Sequence, residues 1–343
     1  MTLIIFILVL GAIIFVHELG HFIFAKLMGV YVYEFALGMG PKILSKKGKE
    51  TEYCLRLIPI GGFCSMAGEE VDEEQIKVPK KRRLQAKKPW QRFLIMFFGP
   101  GFNFIFAIII IFLVALFSGS SYKPIIGDVT KKYPAAIAGL EKNDLITKID
   151  NNKISTIDDV SLYLILTDHK KPTKITVDRD GEEYTYSVKA KKKVKKGNTT
   201  YVYGITLNTK KEYGFLNSIK YTFVKTCSLF KQMWITITNL FTGGISLNQL
   251  SGPVGIYSIV GEQSKAGITS ILLLMAFLSI NVGFINLIPL PAFDGGHILF
   301  IVIEKIKGSP VSPKVENMIH TVGLFLLMAL MVYITFNDIL RLF

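Results

Sequence analysis

The chain has 343 residues, room for one to three domains, and half of them are hydrophobic. The apolar residues come in long blocks, which excludes an ordinary water-soluble enzyme. The formal net charge of +14 is concentrated beside one such block, so it reads as membrane-surface charge rather than a nucleic-acid interface.

The first block, Met1–Val16, has no charged side chain. It runs into His17-Glu18-Leu19-Gly20-His21 and then the apolar Phe22–Ala25, which predicts a first transmembrane helix over residues 1–29. A cleaved signal peptide is the competing reading. Against it, the segment lacks a basic start and ends in His-Glu instead of a small-residue cleavage site. On a helix, His-Glu-x-x-His places two imidazoles one turn apart on one face, where they can share a zinc ion, with the Glu placed to take a proton from water. Ionisable groups at membrane depth are costly and rarely present without a use. At 1.5 Å per residue, His17 lies about 24 Å along the span.

Residues 30–92 are expected on the cytoplasmic side. Tyr31–Phe35 and Thr51–Leu57 are β-rich and flank a Gly/Lys stretch, a hairpin signal; with apolar faces, the hairpin is expected to associate with the membrane. Glu69–Lys88 reads as an exposed loop. Its basic run, Lys80-Lys81-Arg82-Arg83 and Lys87-Lys88, places this flank in the cytoplasm by the positive-inside rule. The second span is 93–117. Residues 118–210 resemble a water-soluble α/β domain, with a helix over Ile157–Leu166 and strands at Lys174–Arg179 and Glu183–Lys189. It includes the Lys-rich Lys189–Lys196 and falls on the extracytoplasmic side. Residues 211–265 form an amphipathic interfacial region in which Tyr213–Leu250 is read as an interfacial helix or a short extra span, with Lys220, Lys225 and Lys231 favouring the interface. The third span, 266–303, is broken by Pro289 and Pro291. Residues 304–343 hold a loop and a fourth span. Cys54, Cys64 and Cys227 form no disulfide framework.

A zinc site needs a third protein ligand and an open position. The strongest candidate is Asp294, in Asn286-Leu287-Ile288-Pro289-Leu290-Pro291-Ala292-Phe293-Asp294-Gly295-Gly296, because a carboxylate near membrane depth needs a cationic partner. His297 and Glu304 are the alternatives.

These two motifs together resemble the site-2 protease family of intramembrane zinc metalloproteases (peptidase family M50), in its bacterial RseP-like branch, over nearly the whole chain. Gly99-Pro100-Gly101-Phe102-Asn103 resembles a motif of that family's second core span, and Gly62–Glu69 the segment after its membrane-associated hairpin. The resemblance implies a polytopic α-helical membrane protein of about four spans, with the β-hairpin and one inserted PDZ domain. It implies one Zn2+ per chain on His17, His21 and Asp294, with Glu18 as general base. Asn286 and Asn281, with Pro289 and Pro291 beside them, would meet the substrate, and Asn103 is read as structural, holding a Gly-Pro break. The implied substrates are single-pass membrane proteins such as anti-sigma factors or signal-peptide remnants, cut within the bilayer of a bacterial cell membrane. The PDZ domain would bind a peptide or act as a size filter. Asn143 and Asn152 stand where many such PDZ domains carry Gly, a substitution that asparagine tolerates in the left-handed conformation. A silent membrane scaffold and a metal transporter are the other function classes. The transporter reading lacks a repeated pair of broken spans.

Overall fold

The computed structural model describes residues 1–69, 78–195, 198–208, 211–243, 250–309 and 311–340. Parts of the basic loop (70–77), of the Lys-rich stretch (196–197) and of the interfacial region (244–249) therefore lie outside the described residues. In chain order come helix α1 (Thr2–Leu27), strands β1 (Val32–Lys47) and β2 (Glu52–Met66), and helix α2 (Pro89–Ser118). There follow β3 (Ile126–Val129), α3 (Pro134–Ala138), β4 (Leu145–Ile149), β5 (Asn152–Lys153), α4 (Ile157–Leu166), β6 (Thr173–Arg179), β7 (Glu182–Val188), β8 (Lys191–Lys195), β9 (Asn198–Val202) and β10 (Ile205–Leu207). The last helices are α5 (Phe215–Thr242), α6 (Pro253–Ala266), α7 (Ile268–Leu287), α8 (Asp294–Lys307) and α9 (Pro313–Leu340).

Four helices, α1, α2, α7 and α9, are long and apolar enough to cross a membrane, and the chain is a membrane protein. In lipid only a helix satisfies its own backbone within one segment, so α1 forms without any side-chain cap. Residues cluster into two compact units, Met1–Ile110 with Ser246–Phe343, and Ile111–Ile245.

In the first unit, the buried residues of α1 are Phe6, Val9, Ile13, His17, Gly20, His21 and Ala25, a three- and four-residue spacing that puts both histidines on the packed face. This helix approaches α2 at glycines: a Cβ on Gly20 would lie 2.0 Å from the Phe98 carbonyl oxygen. Beside that approach Phe24 stacks on Phe98 at 3.6 Å. The expected Gly-Pro break does not interrupt α2. Pro100 sits inside a continuous helix, as membrane helices tolerate when neighbours pack closely.

The strands β1 and β2 pair antiparallel, and both extend well past the predicted segments. Val32–Leu37 is flanked by Gly62–Met66 on one side and Glu52–Leu55 on the other, so the ribbon doubles back on itself. Left-handed glycines at 38, 40 and 61 make those bends. A break at Ile288–Phe293, which contains both prolines, separates α7 from α8. The expected interfacial segment 211–265 contains two helices, α5 and α6. The N-terminal amides of α6 are held by a carboxylate, with Gly252 N and Gly255 N each 2.8 Å from Asp338 Oδ2.

The second unit has a sheet in the order β5-β4-β6-β7 and separate pairs β10-β3 and β8-β9. Its core joins Ile126, Ile146, Ile149, Val160, Ile175 and Val177. Helix α4 starts at a capping box in which Thr156 accepts from Asp159 N at 3.0 Å, while Asp159 accepts from Thr156 N. Asn143 is left-handed at φ 75°, and the other left-handed residue of that turn region is Asp150, at φ 52°, rather than Asn152.

Candidate functional site

His17 and His21 stand on the buried stripe of α1, and the Ile288–Phe293 loop brings Asp294 to them at the first turn of α8. His21 Nδ1 lies 2.9 Å from the Ile95 carbonyl oxygen. A carbonyl only accepts, so Nδ1 carries the proton and His21 Nε2 keeps its lone pair. That Nε2 is 3.2 Å from His17 Nε2 and 3.4 Å from Asp294 Oδ1, and His17 Nε2 is 3.2 Å from Asp294 Oδ2.

The other nitrogen of His17 faces Asn103, whose amide lies 3.3 Å from His17 Nδ1 while its Oδ1 is buried without a hydrogen bond. As placed, the amide nitrogen faces Nδ1; with the amide turned over, its oxygen would accept from His17 Nδ1–H and leave His17 Nε2 unprotonated as well. Asp294 Oδ2 is likewise buried with no hydrogen bond. The Nε2 atoms of two imidazoles and a carboxylate therefore converge on one point.

Glycine makes this convergence sterically feasible. A Cβ on Gly99 would lie 2.1 Å from His21 Nε2, and one on Gly295 would lie 2.2 Å from the Ile288 carbonyl oxygen. Glu18 shares a cavity of about 530 Å³ with His17, His21, Asp294 and Asn286, walled by Phe63–Met66 of β2 and by Glu69. The backbone N–H of Cys64 donates to the Glu18 carboxylate. Burial pushes the Glu69 carboxyl up to about 7.

Among the sequence-predicted residues, the cavity brings together His17, Glu18, His21, Asp294 and Asn286; Asn281, Pro289 and Pro291 do not line it. Asn286 Nδ2 donates to its own helix at the Val282 carbonyl, 3.0 Å away. The alternative ligands are engaged elsewhere: His297 Nδ1 is 3.2 Å from Glu316 Oε1, and Glu304 pairs with Arg92. Sequence reasoning missed the role of Asn103 beside His17, the contact of Gly99 with His21, and Glu69. Its only signal for the first two was a Gly-Pro-Gly and an asparagine inside an otherwise apolar span.

The model of peptidase family M50 matches residues 5–330. The chain belongs to peptidase family M50. Similar M50 chains include one named as a zinc metalloprotease in Clostridium perfringens, 39% identical over 308 residues, covering 90% of this chain and 89% of the relative. The regulator of sigma-W protease RasP of Bacillus subtilis is 32% identical over 419 residues, covering 100% of this chain and 99% of RasP. The zinc metalloprotease RasP of Bacillus licheniformis is 33% identical over 419 residues, with the same coverage. The family makes the chain a metalloprotease of the RseP-like type, with its candidate machinery in the membrane-spanning unit.

Proposed function

We propose that this M50 protein is an intramembrane zinc metalloprotease that hydrolyses peptide bonds within transmembrane segments of other membrane proteins. One observation carries the reading. The His17, His21 and Asp294 donor atoms are mutually 3.2–3.4 Å apart, and Glu18 opens into the same cavity. Ligands about 2.0–2.1 Å from a tetrahedral zinc are about 3.3–3.4 Å from one another. The donor set therefore fits one Zn2+, held by His17 Nε2, His21 Nε2 and Asp294. When bound, zinc would acidify a water and polarise the scissile carbonyl.

Glu18 takes a proton from the attacking water and later delivers it to the leaving amine. The Ile95 carbonyl fixes His21, and Asn103 with its amide oxygen turned toward Nδ1 fixes His17, in the tautomer that leaves Nε2 unprotonated. Asn286 meets the substrate backbone at the cavity wall. Asn281, Pro289 and Pro291 belong to the same substrate path outside that wall, where the prolines shape the loop. The β1–β2 ribbon lies at the membrane surface and offers a strand to an unwound substrate, whose exposed peptide groups need partners in lipid.

The unit within 118–210 is a PDZ-like domain on the extracytoplasmic side of a bacterial cell membrane. It binds a peptide or filters substrates by size. Substrates are single-pass membrane proteins, with anti-sigma factors favoured by the RasP likeness and signal-peptide remnants the second class.

The test is cleavage of a reporter membrane protein with a helix-destabilised span, by purified wild type and Glu18→Gln in detergent, with zinc measured on both. Zinc on both proteins and cleavage within the span by wild type alone supports the proposal. Wild type that holds zinc and cuts none of several such reporters overturns it.

A further inference from the structure

A second cluster of metal-ligating side chains lies in the membrane-spanning unit. His297, Glu316 and His320 offer ligand atoms within 4.8 Å of one another. Their hydrogen bonds argue against a metal. The Ala292 backbone N–H donates to His320 Nδ1 at 3.1 Å, which makes Nδ1 an acceptor and leaves the ring proton on Nε2. To ligate through Nε2, the ring would have to break that bond or become an anion. The same contacts describe a support for the loop that carries Asp294.

Ala292 is held at φ 72°, a left-handed conformation that costs a non-glycine residue roughly 1–2 kcal/mol. It lies two residues before Asp294, so the direction in which the chain enters α8 depends on it. Its amide is fixed by His320. One residue earlier, Pro291 packs against Gly323, where an added Cβ would lie 2.3 Å from the proline Cβ. His320 and Gly323 are three apart on α9 and so share one face of that helix. The His320 ring is braced in turn: it stacks on His297 at 3.9 Å with planes 14° apart, and His297 is 3.2 Å from Glu316, one turn before His320 on α9.

We propose that α9, through the His320–Ala292 hydrogen bond and the seat of Pro291 on Gly323, sets the position of the Asp294 carboxylate, which makes His320 a positioning residue. The inference rests on the reading of Asp294 as a metal ligand. Removing the acceptor lets Ala292 relax, and the carboxylate moves relative to the two imidazoles. Partners that orient a ligand in this way are typically worth 10–100-fold in metal affinity.

The experiment follows zinc release to a chelator from the purified full chain in detergent, for wild type, His320→Leu, His320→Asn, Gly323→Ala, Asp294→Ala and Gly11→Ala. His320→Leu and Gly323→Ala are expected to release zinc about 10–100-fold faster. His320→Asn should stay within about threefold of wild type, less than 1 kcal/mol, because asparagine places an acceptor oxygen where Nδ1 stood. Gly11→Ala, at a glycine with open space around it, should match wild type. Zinc release at the wild-type rate from His320→Leu overturns the inference, as does release from His320→Asn as fast as from His320→Leu. If His320→Leu does not fold, Gly323→Ala decides, and wild-type release from it overturns the inference. Wild-type zinc retention by Asp294→Ala removes the ligand reading itself, and so is told apart from failure of the positioning role.

Discussion

The two units treat buried polar atoms differently. In the 111–245 unit they are paired: Asp144, 1% exposed, accepts from Arg179 at 2.7 and 2.8 Å and from Glu141 N at 2.9 Å, and Thr156 meets Ser228 at 2.9 Å. Thr226 Oγ1 is an exception there. In the membrane-spanning unit, Arg92 Nε is buried without a hydrogen bond, and so are Asn103 Oδ1, Asp294 Oδ2 and His320 Nε2, these last three in or next to the proposed machinery. A buried polar group without a partner costs roughly 1–3 kcal/mol. One unit is arranged for stability. The other keeps costly atoms where chemistry would use them, which is where a fold is expected to break its own rules.

The largest effects should come from the unpaired side of this contrast. His21→Ala should lose zinc and all cleavage, whereas Glu18→Gln should keep zinc and lose about 10²–10⁴-fold in turnover, as read by metal analysis and the reporter assay. Gly99→Ala should come next, because its methyl would occupy the position of the His21 ring. A displacement of that size costs about 10²-fold in rate, with the helical circular dichroism of the protein retained. Asn103→Leu should speed zinc release about 10-fold or more while leaving the 111–245 unit unaffected.

A substitution in the paired unit sharpens the comparison from the other side. Asp144→Asn weakens a pair in which Arg179 is still partly exposed. It should destabilise that unit by roughly 2 kcal/mol in thermal unfolding without changing zinc release. The smallest effect is at Glu50, whose carboxyl is held down at about 2 by hydrogen bonds from Arg82 and then Lys26. Its folded value lies below its ordinary one, so its contribution is present above about pH 4.5 and is lost as pH falls toward about 2. Glu50→Gln should flatten the melting temperature across that window and reduce its dependence on salt.

Much of this was legible in the sequence, and the reasons are local. His-Glu-x-x-His announces its own geometry, because one helical turn is enough to bring the imidazoles together. Pro289 and Pro291 end α7 wherever they fall, and Thr156 with Asp159 starts α4 without help from elsewhere. Asn143 takes the left-handed turn expected of it. What could not be read depends on residues distant in sequence. Asn103 meets His17 across 86 positions, and Gly99 matters only because α2 passes against His21. The lengths of β1 and β2 were hidden because their bends rest on single glycines, which in sequence look like loop. The continuity of α2 through Pro100 depends on close packing with α1, which local chemistry does not encode.

The helices also differ in length. At 1.5 Å per residue the 20 residues of α7 reach about 30 Å, the depth of a typical hydrocarbon core, while the 28 residues of α9 reach about 42 Å. The apolar part of α9, Met318–Phe336, by itself reaches about 28 Å, so α9 needs no tilt and its surplus length is polar helix at either end, with Lys314 and Glu316 before it and Asn337 and Asp338 after it. One of those end residues, Asp338, is the carboxylate that holds the first amides of α6, so the surplus length of α9 serves as an anchor for a neighbouring helix.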